Sequence, residues 1–424
     1  MKKFAHIIAA AATIFSICSC GGKFGPTDND FDRVFIYYLV GFNDLQPYLE
    51  VDMEELLAVE ISAYVPGKDD DKAILFVSHF PQYYGAYSTE TAPVVERVTY
   101  DGSEITRDTL LRLATGAKLT DKDVMTEALG YIKENFPSDH YVMSYSSHGT
   151  GWLPEGYYGK NSTSNVVFDA VPLSVGSREE GVPIVPHLPG PLTKSLGCEY
   201  HYTTSGQRSF EMDITDIAQC IPMHLDCLFL DACLMGGVEV AMELSGVTSK
   251  LAFSAAEMSV DGFDYTMMSQ RAIKAYDPAY VCKTYYEDAE ALSGWDKSAT
   301  ISLVNTANIG MLATECKEIF AAHRDQLDKI DPSKVQCFGR FKEHWYYDLR
   351  DIVVNAGATE LELGEFDNLL SQCVEYQAST DTLFNSIKVN THCGLTMYLP
   401  VNGNDTLDEY YRNLSWNKAT GLVE

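Results

Sequence analysis

The sequence lacks the patterns that mark several common chemistries. It has no C-x-x-C pair, no H-E-x-x-H and no zinc pattern built from C-x-x-C and H-x-x-H, which argues against a zinc peptidase or a structural zinc site. It also has no Lys/Arg-rich run, and its formal net charge of −29 opposes binding to phosphate backbones. We therefore expect no nucleic-acid partner and no resident cofactor.

The sequence has no apolar run long enough to span a membrane. Lys2 and Lys3 precede a short apolar stretch, Phe4–Ile17, of the length typical of a signal-peptide core. The stretch ends in Ile17-Cys18-Ser19-Cys20-Gly21, which resembles a bacterial lipobox. We predict a signal peptide over residues 1–19 and lipidation of Cys20. An ordinary signal peptide with two accidental cysteines is the alternative.

Residues 20–32 then form the lipidated Cys and a flexible tether, rich in Gly, Pro and Asp. The protein is predicted to be exported and anchored to a bacterial membrane, on its periplasmic or cell-surface face. Its eleven cysteines could form disulfides there, yet several fall within apolar segments where buried free thiols are common, so no pairing is predicted.

What the sequence does contain is a globular chain of 424 residues, 46% of them hydrophobic and 21% charged. Apolar runs rich in β-formers alternate with helix-like segments, as in an α/β protein with a mostly parallel sheet. The acidic surface is either simply solvated or attractive to basic peptides. The predicted strands, in chain order, are Arg33–Val40, Lys72–Ser78, Tyr141–Ser146, Leu225–Leu230, Leu251–Ala255, Ala299–Val304 and Cys393–Leu399, with an edge ribbon at Val94–Thr99.

Helices are predicted at Leu45–Ala63 and Asp121–Asn135, the second capped by Thr120 and Asp121. Between Trp152 and Phe210 the periodicity disappears in a stretch rich in Gly, Pro, Ser and Tyr. A long stretch of this kind inside a compact domain is often functional.

Two of the predicted strands end in residues suited to nucleophilic catalysis. The third is followed by Ser147-His148-Gly149, and the fourth by Asp231-Ala232-Cys233. Ligands bind outside the carboxyl ends of parallel strands, so His148 and Cys233 should share one edge of the sheet. A helix N-terminus or an imidazolium would lower the thiol pKa, and the backbone amides of Gly149 and Cys233 could bind an oxyanion. A core histidine and a buried free cysteine are the structural alternative.

These motifs resemble the His-Gly and Asp-Ala-Cys motifs of the clostripain family of cysteine peptidases, and the resemblance spans most of residues 33–421. It implies a caspase-like α/β/α sandwich over residues 33–305 and a helical C-terminal subdomain with a returning strand over 306–424. It also implies cleavage after Arg or Lys, with His148 as general acid/base and Cys233 as nucleophile. Some members need calcium, although no calcium site is identified here.

The resemblance assigns the binding of the basic side chain to Asp231 and Asp261, with Asp264 as the rival of Asp261. The segment Val260–Phe263 lacks the Pro and Trp usual in the family, so this pocket is expected to differ. Some members of the family cut themselves between the two catalytic residues, and we predict that this chain is a zymogen that does the same. Within the loop 152–210, Lys160 is the first candidate; the others are Arg178, Lys194 and Arg208.

Two other functions remain open at this stage. The first is a catalytically silent, lipid-anchored surface protein that binds peptides or glycans through the aromatic-rich stretch Tyr157–Phe210. The second is another thiol hydrolase, such as an amidase or a transpeptidase. Intact His148 and Cys233 argue against the first, and the acids Asp231 and Asp261 argue against the second.

Overall fold

The structure is a computed structural model that describes residues 31–60, 71–84, 87–100, 105–157, 196–203, 206–340 and 344–424. Its strands, in chain order, are β1 (Arg33–Val40), β2 (Lys72–His79), β3 (Gln82–Tyr84), β4 (Tyr87–Thr89), β5 (Val94–Tyr100), β6 (Ile105–Arg112), β7 (Tyr141–Ser146), β8 (Leu196–Thr203), β9 (Gly206–Met212), β10 (Leu225–Asp231), β11 (Lys250–Phe253), β12 (Thr300–Asn305), β13 (Tyr347–Asp348), β14 (Val374–Ser379), β15 (Thr382–Leu383), β16 (Ile387–Lys388) and β17 (Thr396–Met397).

Nine of these strands form one sheet, in the order β14-β12-β11-β10-β7-β1-β2-β5-β6. The central strands β11, β10, β7, β1 and β2 are parallel, whereas the pairs at either side are antiparallel. The strand order therefore reverses between β1 and β7, which is where open parallel sheets bind ligands. The predicted α/β class is confirmed, with a sheet that is mixed rather than mostly parallel.

Helices cover both faces of this sheet. They are α1 (Gln46–Glu60), α2 (Lys122–Asn135), α3 (Ile214–Cys220), α4 (Val238–Leu244), α5 (Tyr265–Met268), α6 (Pro278–Ala291), α7 (Ile309–Ala322), α8 (Arg324–Leu327), α9 (Leu349–Asn355), α10 (Glu360–Cys373), α11 (Asp405–Tyr411) and α12 (Ser415–Thr420). A π-helical segment, Ser269–Lys274, continues α5. The helices from α7 onward are the expected helical C-terminal addition.

Strand β1 shows why the central strands read as unbroken apolar runs. Alternate residues point to opposite faces of a sheet. Ile36 and Tyr38 pack into one hydrophobic core with α2, α4 and the C-terminal helices, while Phe35 and Tyr37 pack into a second core with α1 and α6. Both faces are dry, so the strand carries no polar side to reveal its period.

Two parts of the sequence interpretation are wrong. Cys393–Leu399 does not return to the large sheet: only Thr396–Met397 is a strand, and it pairs with β13 in a separate two-stranded sheet. The C-terminal strand at the sheet edge is instead β14. The loop 152–210 is not uniformly irregular either, because β8 and β9 form a hairpin at its end.

The β8–β9 hairpin was missed because polar residues of β8 point inward. Glu199 is fully buried and bonds His79 at 2.9 Å and His201 at 3.3 Å. Burial acts to raise the pKa of Glu199, but the hydrogen bonds from His201 and His79 outweigh it and lower that pKa. A strand anchored by a buried carboxylate gives no hydrophobic alternation.

Candidate active site

The loop after β7 holds His148 in one orientation. The Ser147 hydroxyl donates to the Val40 carbonyl at 3.2 Å and accepts from the Cys198 amide at 3.1 Å. The Gly197 amide donates to the His148 carbonyl at 3.0 Å. His148 itself is buried, and its Nε2 lies 2.8 Å from Oδ1 of Asp44. The loop is therefore fixed from both sides, by β1 and by β8.

Asp44 belongs to the turn after β1, and the sequence interpretation did not connect it with His148. The neighbouring Asn43 side chain donates to the carbonyls of Val40 at 2.8 Å and Cys198 at 2.7 Å. Sheet topology could have revealed this contact. Strands β1 and β7 are adjacent and parallel, so the loops that follow them lie at the same edge of the sheet.

Cys233 lies two residues beyond β10 and is half-buried. Its Sγ accepts a hydrogen bond from the Met258 amide at 3.4 Å. The next residue, Leu234, has a left-handed backbone with φ of 63°, and its amide donates to Ala256 at 2.8 Å. Helix α4 begins only at Val238, so the Met258 amide, rather than the start of that helix, is the donor seen at the thiol.

The loops that carry His148 and Cys233 press directly against each other. A methyl group on Gly149 would lie 2.8 Å from the Cys233 carbonyl oxygen and 2.9 Å from Ala232 Cβ. Real Cβ atoms essentially never approach so closely, so this contact requires glycine. In the part of the chain that the structure describes, the Gly149 amide donates to no acceptor. The two predicted strand ends thus meet as expected, with an available N–H between them.

Asp231, the last residue of β10, presents a buried carboxyl beside this site. Its Oδ2 accepts from the Tyr265 hydroxyl at 2.8 Å and from the Ser146 hydroxyl at 3.3 Å. Burial raises its pKa to about 6, although these hydrogen bonds act in the opposite direction. Gly262, with φ of 58°, covers the carboxyl: a methyl group there would lie 2.8 Å from Oδ1.

The two candidate partners of Asp231 differ in their contacts. Asp264 caps α5, accepting from the Met267 amide at 3.0 Å. Asp261 is half-buried in a turn with Ser259, whose hydroxyl accepts from the Asp261 amide at 3.3 Å. Burial, followed by the charges of Asp231, Cys233 and Asp261, raises the pKa of Tyr285. Asp261 therefore shares a neighbourhood with Asp231 and Cys233, and Asp264 serves the helix.

Some of the predicted features cannot be placed on the structure. Lys160 and the signal peptide with Cys20 fall outside the residues that the structure describes. The nine cysteines within it are free thiols. Within the same residues no cluster of three or more His, Cys, Asp or Glu side chains could hold a metal ion. No described helix is long and apolar enough to cross a membrane.

Several solved structures of C11 proteases share this fold. An inactive zymogen C11 protease from Parabacteroides distasonis matches with a TM-score of 0.70 at 22% identity, over 93% of this chain and 99% of that chain. A secreted C11 cysteine protease from Bacteroides thetaiotaomicron, iotapain, matches with a TM-score of 0.71 at 20% identity, over 92% and 99%. A secreted C11 cysteine protease from the same organism, in complex with an irreversible peptide inhibitor, gives 0.68 at 20% identity, over 92% and 99%.

The fold is that of these C11 proteases. The sequence model of the clostripain family matches residues 203–421, just over half of the chain. The chain therefore belongs to the clostripain family, as its motifs predicted. No curated protein sequence matches it.

Proposed function

We propose that this cysteine peptidase is an endopeptidase that cleaves after Arg or Lys, with His148 as general acid/base and Cys233 as nucleophile. The observation that supports the assignment most strongly is the contact between the loops after β7 and β10, where only a glycine fits at position 149. A base and a thiol on adjacent loops are the minimum that thioester chemistry needs.

In the proposed reaction, the thiol proton passes to His148 as Cys233 Sγ attacks the scissile carbonyl. The amides of Gly149 and Cys233 hold the oxyanion, the imidazolium protonates the leaving amine, and the C–N bond breaks to give a thioester. Water, deprotonated by His148, then attacks the thioester carbonyl; the C–S bond breaks, the acid product leaves, and the imidazolium returns its proton to Cys233. This chemistry uses side chains and backbone alone, so no cofactor enters any step.

Substrate selection is assigned to Asp231 and Asp261. Asp231 lies two residues from Cys233 in the chain, and its carboxyl accepts from the Tyr265 hydroxyl. The charges of Asp231 and Asp261 both raise the pKa of the buried Tyr285, so the two carboxyls lie in one neighbourhood. A guanidinium or ammonium group would pair with these acids through charge-assisted hydrogen bonds.

The nucleophile is tested by comparing Cys233→Ala with Cys227→Ala, a matched control in the same segment. Cys227 is fully buried within β10, so its exchange should leave hydrolysis of Arg- and Lys-terminated fluorogenic peptides within a few-fold of wild type. Cys233→Ala should abolish it. Full activity of the Cys233→Ala protein would overturn the assignment.

We further propose that the protein is a zymogen that cuts itself after Lys160, as the zymogen form of a structurally similar protease suggests. Strands β1 and β7 precede this bond in the chain, and β10 follows it. In the sheet, β7 lies between β1 and β10, so it pairs with one strand from each fragment's side of the cut. The two fragments should therefore stay associated. Mass spectrometry should give two fragments for wild type and one chain for Cys233→Ala. An intact, fully active wild-type chain would exclude self-cleavage.

Membrane attachment through a lipid on Cys20 completes the proposal, in line with export of a similar protease described as secreted. Cys20→Ala should lose the protein from the membrane fraction or leave it unprocessed. Normal recovery of that variant in membranes would contradict the anchor.

A further inference from the structure

The turn after β1 brings a carboxylate to the outer nitrogen of His148. Oδ1 of Asp44 lies 2.8 Å from Nε2, with the His148 side chain 9% exposed and the Asp44 side chain 44% exposed. The imidazole is thus nearly enclosed, while the carboxylate keeps partial hydration. A carboxylate at this distance can stabilise positive charge on the ring.

The turn that carries Asp44 is held by hydrogen bonds of the neighbouring Asn43. The Asn43 side chain donates to the Val40 and Cys198 carbonyls, and its Oδ1 accepts from the Leu45 amide at 2.8 Å. Every hydrogen-bonding group of that amide is therefore used to hold the backbone on either side of Asp44. The carboxylate is positioned by the fold rather than by its own side-chain freedom.

An imidazole presents two nitrogens, and the partner of one decides the role of the other. With its Nε2–H donated to Asp44, His148 leaves the Nδ1 lone pair for the thiol proton. Without the carboxylate, the proton could reside on either nitrogen, and the ring could rotate. Tyr200 packs beside the ring, with centroids 6.0 Å apart.

We propose that Asp44 is a positioning residue for His148: it holds the tautomer with the proton on Nε2 and stabilises the imidazolium formed when Cys233 loses its proton. This rests on the proposed Cys233–His148 pair and adds a third member to it. The proton leaves Sγ, arrives at Nδ1 and is later given to the leaving amine, while the Nε2 proton stays between the ring and Asp44.

Two variants of the full-length protein separate orientation from charge. Asp44→Asn keeps an acceptor oxygen but removes the charge, and Asp44→Ala removes both. We expect kcat/KM for a peptide substrate to fall about 10- to 100-fold, with KM little changed and the larger loss for Ala. The acidic limb of kcat/KM should move about one pH unit lower in both variants, because His148 accepts the thiol proton as a neutral imidazole and its protonated form loses the stabilising carboxylate. Asp121→Asn, which exchanges an exposed helix cap that bonds only backbone, is the control.

A second readout needs no peptide substrate. The rate at which iodoacetamide alkylates Cys233 reports the thiolate, and at neutral pH it should fall about tenfold in both variants. Alkylation and kcat/KM profiles that coincide with wild type would overturn the role of Asp44. If alkylation responds while wild type hydrolyses no peptide, the Asp44 assignment stands and the peptidase proposal fails.

Discussion

Two buried carboxyls flank the loop of Cys233, and their surroundings are chemically alike. Asp231 accepts from the Tyr265 hydroxyl at 2.8 Å, and Glu239 accepts from the Tyr411 hydroxyl at 2.6 Å. Burial raises both pKa values, to about 6 for Asp231 and about 7 for Glu239. Each carboxyl also lies under a glycine, where a methyl group would be 2.8 Å from Asp231 Oδ1 or 2.6 Å from Glu239 Oε2.

The two carboxyls differ in the residues that cover them. Asp231 is covered by the turn of Gly262, which is half-buried like Cys233 and Asp261. Glu239 points into the dry core beneath Tyr398 and Tyr411, and its Oε2 has no partner among the described residues. A raised pKa therefore identifies a binding group only when a ligand can reach it. On this contrast we propose that Asp231 binds substrate and that Glu239 is structural.

The sharpest test of this contrast is the pair Asp231→Asn and Glu239→Gln. Loss of a carboxylate partner from a desolvated cation costs roughly 2–5 kcal/mol, so Asp231→Asn should lower kcat/KM on Arg and Lys substrates at least tenfold. Glu239→Gln should leave the ratio of basic to neutral substrates unchanged. Equal selectivity in both variants would remove Asp231 from the pocket.

The pH dependence of selectivity follows from the same carboxyl. Asp231 must be ionised to hold a cation, so the preference for basic over neutral substrates should increase as the pH rises through about 6. In Asp231→Asn the preference should be flat over that range. A flat wild-type profile between pH 5 and 7 would contradict the role.

The two covering glycines give a smaller, parallel effect. Gly262→Ala would push a methyl group against Asp231 at a left-handed position, and we expect a loss of about tenfold for basic substrates. Gly237→Ala crowds Glu239 instead, so it should lower stability without changing selectivity. Selectivity is read from kcat/KM with matched peptides, and a Gly237→Ala protein that alone lost it would reverse the comparison.

The smallest expected effect is on stability. The folded protein holds the Glu239 proton more tightly than the unfolded chain, because burial raises the pKa from 4.5 to about 7. Stability is therefore lost as the pH rises through that interval. Relative to wild type, the free energy of unfolding of Glu239→Gln should be about 1–2 kcal/mol higher at pH 8 than at pH 5, as measured by denaturant unfolding. A pH-independent difference would count against a buried, titrating Glu239.

The comparison also shows how far the sequence could lead. The five central strands and the positions of His148, Cys233 and Asp231 follow from unbroken apolar runs and the residues that end them. Strand β6 was missed because most of its side chains are exposed, and β8 because Glu199 and His201 point inward. Neither strand has the apolar pattern by which a buried strand is recognised in a sequence.

The site shows the same division. Asp264 looked equivalent to Asp261 in sequence, and only the hydrogen bond to the Met267 amide reveals its role as a cap. The approach of Asp44 to His148 depends on β1 and β7 being neighbours, although a hundred residues separate the two side chains along the chain. Such pairings are set by topology, which local periodicity does not encode.

The central claim is that Cys233 is the reactive thiol of a site that selects basic residues. It is tested most directly by treating the protein with an acyloxymethyl ketone bearing a Lys or Arg side chain and mapping the adduct by mass spectrometry. We predict one adduct, on Cys233, that forms much more slowly in Asp231→Asn. An adduct on Cys227 or another cysteine, or peptide hydrolysis that persists with Cys233 unmodified, would contradict the account.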